Sequence, residues 1–358
     1  MPVFIFILLI KLSYFTGISK KNNVNSELLL QRIFEPGSGN ERSGLILDIF
    51  RFQYENCPVY REFTDRMGIQ PGRVSDIRQI PFLPIQFFKT HDVVTGNALP
   101  GKEELLFMSS GTSGTERSRH RVTDAGVYRT SFRRCFELFY GAASDYCLLA
   151  LLPSYLEQKN SSLVYMMADL IQKSGHAHSG FYMNNTGELL QRLRSPKGRK
   201  VLLMGVSYAL LDLAEKISAA DKECFRDCII METGGMKGRR QELIREELHQ
   251  RLCAAFGVNE IRSEYGMTEL LSQAYSMGKG LFRCPPWMKV LIRDTDDPFR
   301  LLGTGRTGGI NIIDLANIHS CSFIATQDLG RLNDEGSFEV LGRFDHSDIR
   351  GCNLLADS

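Results

Sequence analysis

The segment KVLLMGVSYALLDLAEKISA, residues 200–219, contains a short apolar run followed directly by an amphipathic one. The apolar run 200–206 has the length of a buried strand, and the spacing of apolar residues in 207–219 predicts a helix. The same order recurs on both sides, with apolar runs at 147–152 and 228–232 and helical stretches at 161–174 and 238–256. In the last stretch, Gly257 is a natural stop, and one face is apolar: Leu243, Ile244, Leu248, Leu252, Ala255 and Phe256. This alternation predicts an α/β fold with a mainly parallel sheet, whose ligands bind in loops beyond the carboxyl ends of the strands.

The pattern changes from residue 281 onward. Four strand-like runs replace the alternation: MKVLIRD, GGINIIDL, CSFIATQDLG and GSFEVLGRF. The residues NDEG (333–336) form a good turn between the last two. We therefore expect an α/β body at 25–280, a β-rich subdomain at 281–345 and a C-terminal tail at 346–358.

Residues 1–24 precede this body and begin with an apolar run, 2–10. The run is too short to span a bilayer, which needs about 20 apolar residues, and it lacks the basic start of a signal peptide. A membrane-facing leader, a degenerate signal and an upstream start codon stay open as alternatives. The helical spacing of SELLLQRIFE starts near Glu27, where we expect the folded body to begin. The apolar spacing of LILDIFRFQYENCPVYREF (45–63) predicts a helix.

The composition excludes several classes of protein. The 358 residues carry 43 Lys and Arg against 41 Asp and Glu, a formal net charge of +2. That balance excludes a strongly basic nucleic-acid binder and an acidic disordered chain. Nine cysteines are scattered without a C-x-x-C pair, which favours a reducing compartment and hence the cytoplasm. Because the apolar run 2–10 is too short to span a bilayer, we expect no stable membrane insertion.

The first motif that suggests chemistry is FMSSGTSGTERSRHR, residues 107–121. Its hydroxyls and free N–H groups suit a loop around phosphate oxygens, although it does not fit the Walker A pattern. A flexible polar loop is the alternative. Arg117, Arg119, His120 and Arg121 add positive charge beside it, which a solvated basic turn explains equally well. The candidate phosphate-binding residues are Ser109, Ser110, Gly111, Thr112, Ser113, Gly114 and Thr115.

Two further motifs follow predicted strands. In METGGMKGRR (231–240), Gly234 and Gly235 let a flat ring approach the backbone, although strand-Gly-Gly-helix segments also occur without a ligand. In SEYGMTEL (263–270), an aromatic ring could stack on a base, a hydroxyl could bond a phosphate, and a carboxylate could hold a Mg²⁺ ion that bridges phosphates. The alternative is a strand-end turn followed by the first turn of a helix. The candidates in this motif are Tyr265, Gly266, Thr268 and Glu269.

The last two motifs lie in the β-rich region. Asp328 in ATQDLGRL could accept both hydroxyls of a ribose, or it could simply form a turn before Gly330. The segment LGRFDHSDIRGCNLL (341–355) contains Arg343 and Cys352.

The order and spacing of these five motifs resemble the adenylate-forming superfamily of acyl- and aryl-CoA synthetases and peptide-synthetase adenylation domains. The resemblance spans roughly residues 105 to 351 and implies an acyl-CoA synthetase-like fold that uses ATP and Mg²⁺. It implies that Ser109–Thr115 bind phosphates, that Gly234, Gly235 and Tyr265 hold the adenine, and that Gly266 belongs to the same nucleotide site. Thr268 and Glu269 would serve the α-phosphate and Mg²⁺, and Asp328 and Arg343 would bind the ribose.

Two departures from the superfamily indicate the subfamily. First, Glu116 stands where other members usually have a Lys after the phosphate loop. Second, only seven residues follow the IRG segment that ends at Gly351, whereas other members continue there into a lid domain with a catalytic lysine. We therefore expect the lid to be absent. Lys237, Arg239 and Arg343 are candidates to replace its lysine.

A short form with a cysteine near its end is similar to the acyl-protein synthetases (long-chain-fatty-acid–protein ligases) of bacterial bioluminescence systems. The segments IPFLPIQFFKTH and LLPSYLEQKNSSLVYM also resemble that family. The resemblance implies activation of a long-chain fatty acid to acyl-AMP and capture of the acyl group by Cys352. An acyl reductase or an acyl carrier protein would then accept it. The alternatives are a CoA ligase whose lid is a separate chain, and a non-catalytic nucleotide- or acyl-binding protein.

Overall fold

A computed structural model describes residues 26–96, 99–110, 116–154, 156–195, 198–234 and 243–343. Within these ranges the α-helices are α1 Ser26–Phe34, α2 Gly39–Asn56, α3 Pro58–Arg66, α4 Phe87–Thr90, α5 Ala125–Tyr140, α6 Ser162–Ser174, α7 Thr186–Arg194, α8 Ser207–Lys216 and α9 Arg245–Phe256. The strands are β1 Leu83–Pro84, β2 Leu105–Met108, β3 Arg119–Val122, β4 Tyr146–Leu151, β5 Gly180–Phe181, β6 Lys200–Val206, β7 Cys228–Thr233, β8 Arg262–Tyr265, β9 Ala274–Ser276, β10 Phe282–Arg283, β11 Met288–Arg293, β12 Leu301–Leu302, β13 Thr307–Asp314, β14 Phe323–Leu332 and β15 Phe338–Arg343.

The predicted alternation of strands and helices is confirmed. Strands β4 to β8 pair in parallel in the order β5-β4-β6-β7-β8. All six residues of β4 are buried, which explains why this strand is continuously apolar, as is typical of parallel strands covered on both faces. The carboxyl ends of β7 and β8 therefore lie at the same edge of the sheet, which is the edge where ligands of such sheets bind.

The strands after residue 273 continue the same sheet in antiparallel pairing. The order runs from β8 through β9, β10, β15, β14, β13 and β11 to β12, and β1 adds a parallel pair with β14. The turn at 333–336 is confirmed: Gly336 has a positive φ of 74°, and its N–H donates to the carbonyl of Asn333 at 3.0 Å. Within the described residues, β2 and β3 form a separate two-stranded hairpin.

Two local predictions about helices were wrong. The apolar spacing of 45–63 predicted one helix, but the chain forms two, because Pro58 lacks a backbone N–H and starts a new helix at α3. The apolar face predicted for the helix before Gly257 included Ile244. The described helix begins only at Arg245, and Ile244 is 67% exposed.

Aromatic side chains pack the amino-terminal helices onto the β-rich strands. Phe323 of β14 contacts Phe50 edge-on and stacks on Tyr60, at ring-centroid distances of 6.1 and 5.8 Å. Trp287 is buried, and its indole N–H donates to the Ser131 hydroxyl of α5 at 3.0 Å. Trp287 therefore anchors the start of β11 to the helical layer, the packing role expected of an aromatic side chain with a satisfied N–H.

Among the described residues, no helix is both long enough and apolar enough to cross a bilayer. The eight cysteines in the described ranges form no disulfide bond with one another.

Candidate active site

The loop predicted to bind phosphate extends from the β2–β3 hairpin. Gly111 to Thr115 lie outside the described residues, but both ends of the loop are described. The N–H of Ser109 donates to the Ser118 carbonyl at 3.0 Å, and the N–H of Ser118 donates to the Ser109 hydroxyl at 2.9 Å. These two bonds close the base of the loop, while Ser110 is exposed beyond them.

The positive charge predicted beside this loop is smaller than the sequence suggested. His120 is fully buried, and burial lowers its pKa to about 4, so the ring is neutral. Arg121 is neutralised by Glu104 at 2.6 Å and Asp92 at 3.1 Å. Neither residue therefore supplies a free cation to a phosphate.

Thr268 and Glu269 lie in a turn directly after β8. The Leu270 N–H donates to the Met267 carbonyl at 3.1 Å, and no helix follows in this described segment, so the alternative of a helical first turn is wrong. Asp314 holds the end of the turn, because its carboxylate accepts the N–H groups of Leu271 at 2.8 Å and Ser272 at 2.9 Å.

Glu269 is the carboxylate that meets the base of the phosphate loop. Its side chain is only 5% exposed, and burial raises its pKa. The Ser118 hydroxyl hydrogen-bonds the carboxylate and lowers the pKa in the opposite direction, as does the positive charge of Arg343. The fold thus brings together two motifs that are about 150 residues apart in sequence.

Tyr265, Asp328 and Arg343 form a second contact set beside Glu269. The Tyr265 hydroxyl donates to Asp328 Oδ2 at 2.7 Å, and Arg343 Nε donates to Asp328 Oδ1 at 3.2 Å. Asp328 and Arg343 are direct partners in the β14–β15 register. Asp328 is 6% exposed, whereas the Arg343 side chain is 77% exposed, so this ion pair lies at the edge of solvent.

The Tyr265 ring is itself part of the core. It lies edge-on to Phe282 and Phe338, at centroid distances of 5.8 and 5.7 Å. Burial is the largest cause of the raised pKa of Tyr265, and the Asp328 charge adds to it. The hydroxyl therefore stays protonated and acts as a donor to Asp328.

The end of β7 completes the edge of the site. Gly234 has a positive φ of 68°, and its carbonyl accepts the Ser207 hydroxyl at 2.7 Å. Gly235 lies outside the described residues, as do Lys237, Arg239 and Cys352. The predicted residues that are described here thus fall at the ends of β2, β7, β8 and β15, inside β14 at Asp328, and in the turn after β8. Asp328 therefore lies within a strand and not in a turn before Gly330.

Glu264 is a buried carboxyl that sequence reasoning did not select. It accepts the Thr233 hydroxyl, and so joins the ends of β7 and β8. Burial raises its pKa to about 7, with a further contribution from the charge of Glu232. A Cβ on Gly266 would clash with the Glu264 carboxylate, which explains the glycine there. The adjacent Tyr265 was the only signal for Glu264, since burial of a carboxyl in a strand has no sequence signature.

The chain is similar to several known proteins. Residues 37–358 match the family model described as "Acyl-protein synthetase, LuxE". The chain is 25% identical over 332 residues to the long-chain-fatty-acid–luciferin-component ligase of Vibrio harveyi, a match that covers 87% of this chain and 86% of that protein.

Two solved structures show the fold. A 2-hydroxyisobutyryl-CoA ligase in complex with 2-HIB-AMP aligns with a TM-score of 0.62 and 14% identity over 88% of this chain and 70% of its own. ATP-bound MatB from Rhodopseudomonas palustris aligns with a TM-score of 0.51 and 16% identity over 66% of this chain. The chain spans about half the length of MatB, with 47% of that chain covered. The predicted adenylate-forming, acyl-CoA ligase-like fold is confirmed.

Proposed function

The chain belongs to the LuxE family of acyl-protein synthetases and is a ligase, and from this premise we propose that it activates a long-chain fatty acid with ATP and transfers the acyl group to a protein thiol. The name of the Vibrio harveyi relative supports this class of acid. One observation carries the proposal: His120 Nδ1 lies 2.8 Å from the Thr268 carbonyl oxygen, which joins the phosphate-loop hairpin to the turn after β8.

In the first step, a carboxylate oxygen of the fatty acid attacks the α-phosphorus of ATP. The bond to pyrophosphate breaks, and acyl-AMP forms. The hydroxyls and N–H groups of 109–115 bind the phosphates, and the Thr268 hydroxyl bonds the α-phosphate. Gly234, Gly235, Tyr265 and Gly266 border the adenine. The contribution of these residues is positioning and charge stabilisation, which dominate this class of reaction.

Glu269 is the residue that would hold Mg²⁺. A buried carboxylate with a pKa raised by desolvation gains from a cation beside it. The described ranges contain no cluster of three or more His, Cys, Asp or Glu side chains suited to a metal, and Mg²⁺ commonly binds one or two carboxylates together with substrate phosphates. When bound, the ion would offset the negative charge of the phosphates.

Asp328 binds the ribose in this proposal. Its two oxygens already accept one hydrogen bond each, from Tyr265 and Arg343, and each carboxylate oxygen has capacity for another. Because the Arg343 side chain is largely exposed, it can shift while the ribose hydroxyls approach Asp328.

In the second step, the Cys352 thiolate attacks the acyl carbonyl, AMP leaves, and a thioester forms. The acyl group then passes to a partner, an acyl reductase or an acyl carrier protein.

The proposed division of the chain is a body at 25–280, a β-rich subdomain at 281–345 and a tail at 346–358 that carries Cys352. The lack of disulfide bonds among the cysteines of the described ranges supports a cytoplasmic location.

The decisive experiment measures ATP–pyrophosphate exchange with carboxylic acids of increasing chain length. Exchange that peaks with long-chain fatty acids supports the first step, and no exchange with any acid would refute it. Cys352→Ser should keep the exchange and lose acid-stable labelling of the protein by radioactive fatty acid. Persistent labelling of that variant, or AMP release that depends on CoA, would overturn the assignment of the acceptor.

A further inference from the structure

Two buried side chains donate hydrogen bonds to consecutive carbonyls of the turn after β8. His120 Nδ1 lies 2.8 Å from the Thr268 carbonyl oxygen, and Asn317 Nδ2 lies 2.8 Å from that of Glu269. Both side chains are fully buried. Because a carbonyl oxygen only accepts, the His120 ring must carry its hydrogen on Nδ1.

The two donors come from different parts of the fold. His120 lies in β3, opposite Phe107 of β2, and so belongs to the hairpin that bears the phosphate loop. Asn317 lies in the 3₁₀ segment Leu315–His319, and its own carbonyl accepts Gln53 Nε2 of α2 at 2.8 Å. The peptide groups of Thr268 and Glu269 are therefore fixed relative to the loop on one side and to the helical layer on the other.

We propose that His120 and Asn317 are positioning residues, which set the Thr268 hydroxyl and the Glu269 carboxylate at the correct distance from the phosphate loop. The inference rests on the proposed function. It adds two residues that contact neither ATP nor the acid, yet control where the phosphate-handling groups lie. Small displacements of such groups have large kinetic effects, because the reaction depends on geometry.

The surroundings of the His120 ring indicate that its role is to donate the hydrogen bond from Nδ1. Its Nε2 is buried and has no hydrogen-bond partner among the described residues. An apolar side chain would fill such a position without burying an unpaired polar atom, so the Nδ1 bond to Thr268 is what the imidazole adds there. Burial keeps the ring neutral down to pH of about 4, so this donor persists throughout the neutral range.

The test compares His120→Leu, which removes the donor at similar volume, with His120→Asn, whose amide can replace Nδ1. His319→Leu is the matched control. His319 lines the same small cavity as His120, and its Nε2 is also buried without a partner among the described residues, but in the described part of the chain no hydrogen bond joins its side chain to the turn. Each variant is measured as the full chain for thermal unfolding, pyrophosphate exchange and amide hydrogen exchange of 266–273 without nucleotide.

We expect His120→Leu to lower kcat of the exchange by about 100-fold, while KM for ATP changes by less than about threefold, because adenine and ribose contacts persist. Amide exchange in 266–273 should accelerate in this variant alone. His120→Asn should recover kcat to within about tenfold of wild type, and His319→Leu should alter only stability. If His120→Leu does not fold, Asn317→Ala removes the other donor and is judged by the same criteria.

Equal losses of kcat in His120→Leu and His319→Leu, or unchanged amide exchange in 266–273, would overturn the inference. These results differ from failure of the proposed function, in which the wild-type chain itself would show no exchange with any acid.

Discussion

Removal of the Ser118 hydroxyl should shift the pH dependence of the adenylation step. This hydroxyl hydrogen-bonds the Glu269 carboxylate and lowers its pKa, while burial raises it. Ser118→Ala removes the lowering contribution, so the pKa of Glu269 moves further up. Since the charged carboxylate is the form that would hold Mg²⁺, activity should begin only at higher pH.

The magnitude follows from the energy of such a bond. A hydrogen bond to a charged group contributes about 1.5–3 kcal/mol, and about 1.4 kcal/mol corresponds to one pH unit. The acid limb of the kcat profile should therefore move up by about 1 to 2 pH units. The assay is ATP–pyrophosphate exchange at saturating acid and ATP, measured across the pH range in which the protein remains folded.

Ser131→Ala is the matched control for this shift. Ser131 is also buried and hydrogen-bonded, but its partners are Trp287 and Ser272. Its loss should lower stability and leave the acid limb in place. An acid limb that coincides in Ser118→Ala and wild type would refute the assignment of Glu269 as the group that must ionise.

Three further predictions concern the rest of the site. Asp328→Ala removes the acceptor for Tyr265 and Arg343 and should raise KM for ATP by about 10- to 100-fold, measured in the same exchange assay. Glu264→Gln should remove one pH-dependent contribution to stability. The folded pKa of Glu264, about 7, lies above its usual value of 4.5, so the stabilising contribution of this group is complete below pH 4.5 and declines by about 3 kcal/mol as the pH rises through 7. Urea unfolding of wild type and variant at several pH values would detect or exclude this difference. Gly266→Ala should cost about 1–3 kcal/mol in the same unfolding assay, because the added Cβ meets the Glu264 carboxylate, and an unchanged midpoint would show that the carboxylate can move away.

Local patterns predicted the strands and helices well where the residues are buried on regular faces. The runs at 147–152, 200–206 and 228–232 became β4, β6 and β7, because parallel strands covered on both faces are continuously apolar. The prediction of a single helix at 45–63 was wrong because Pro58 has no backbone N–H and so interrupts the hydrogen bonds of the helix.

No local sequence pattern predicts the hydrogen bond between the side chains of Tyr265 and Asp328. In the order of the sheet, β8 and β14 are separated by β9, β10 and β15, so a flat sheet would hold them about 19 Å apart. The side chains nevertheless meet at 2.7 Å. The sheet must therefore curve strongly, and that curvature places the Asp328 carboxylate, which we propose binds the ribose, beside the turn with Glu269.

The sequence by itself determined the α/β alternation, the order of the motifs and, through them, the resemblance to acyl-protein synthetases. Only the tertiary structure decided that Ser118 contacts Glu269, that His120 is a neutral donor to Thr268 rather than a cation, and that Glu264 is a buried carboxyl. The physical reason is that periodicity and turn chemistry are local properties of the chain. Burial, pKa and hydrogen-bond partners instead depend on which distant segments the curved sheet brings together.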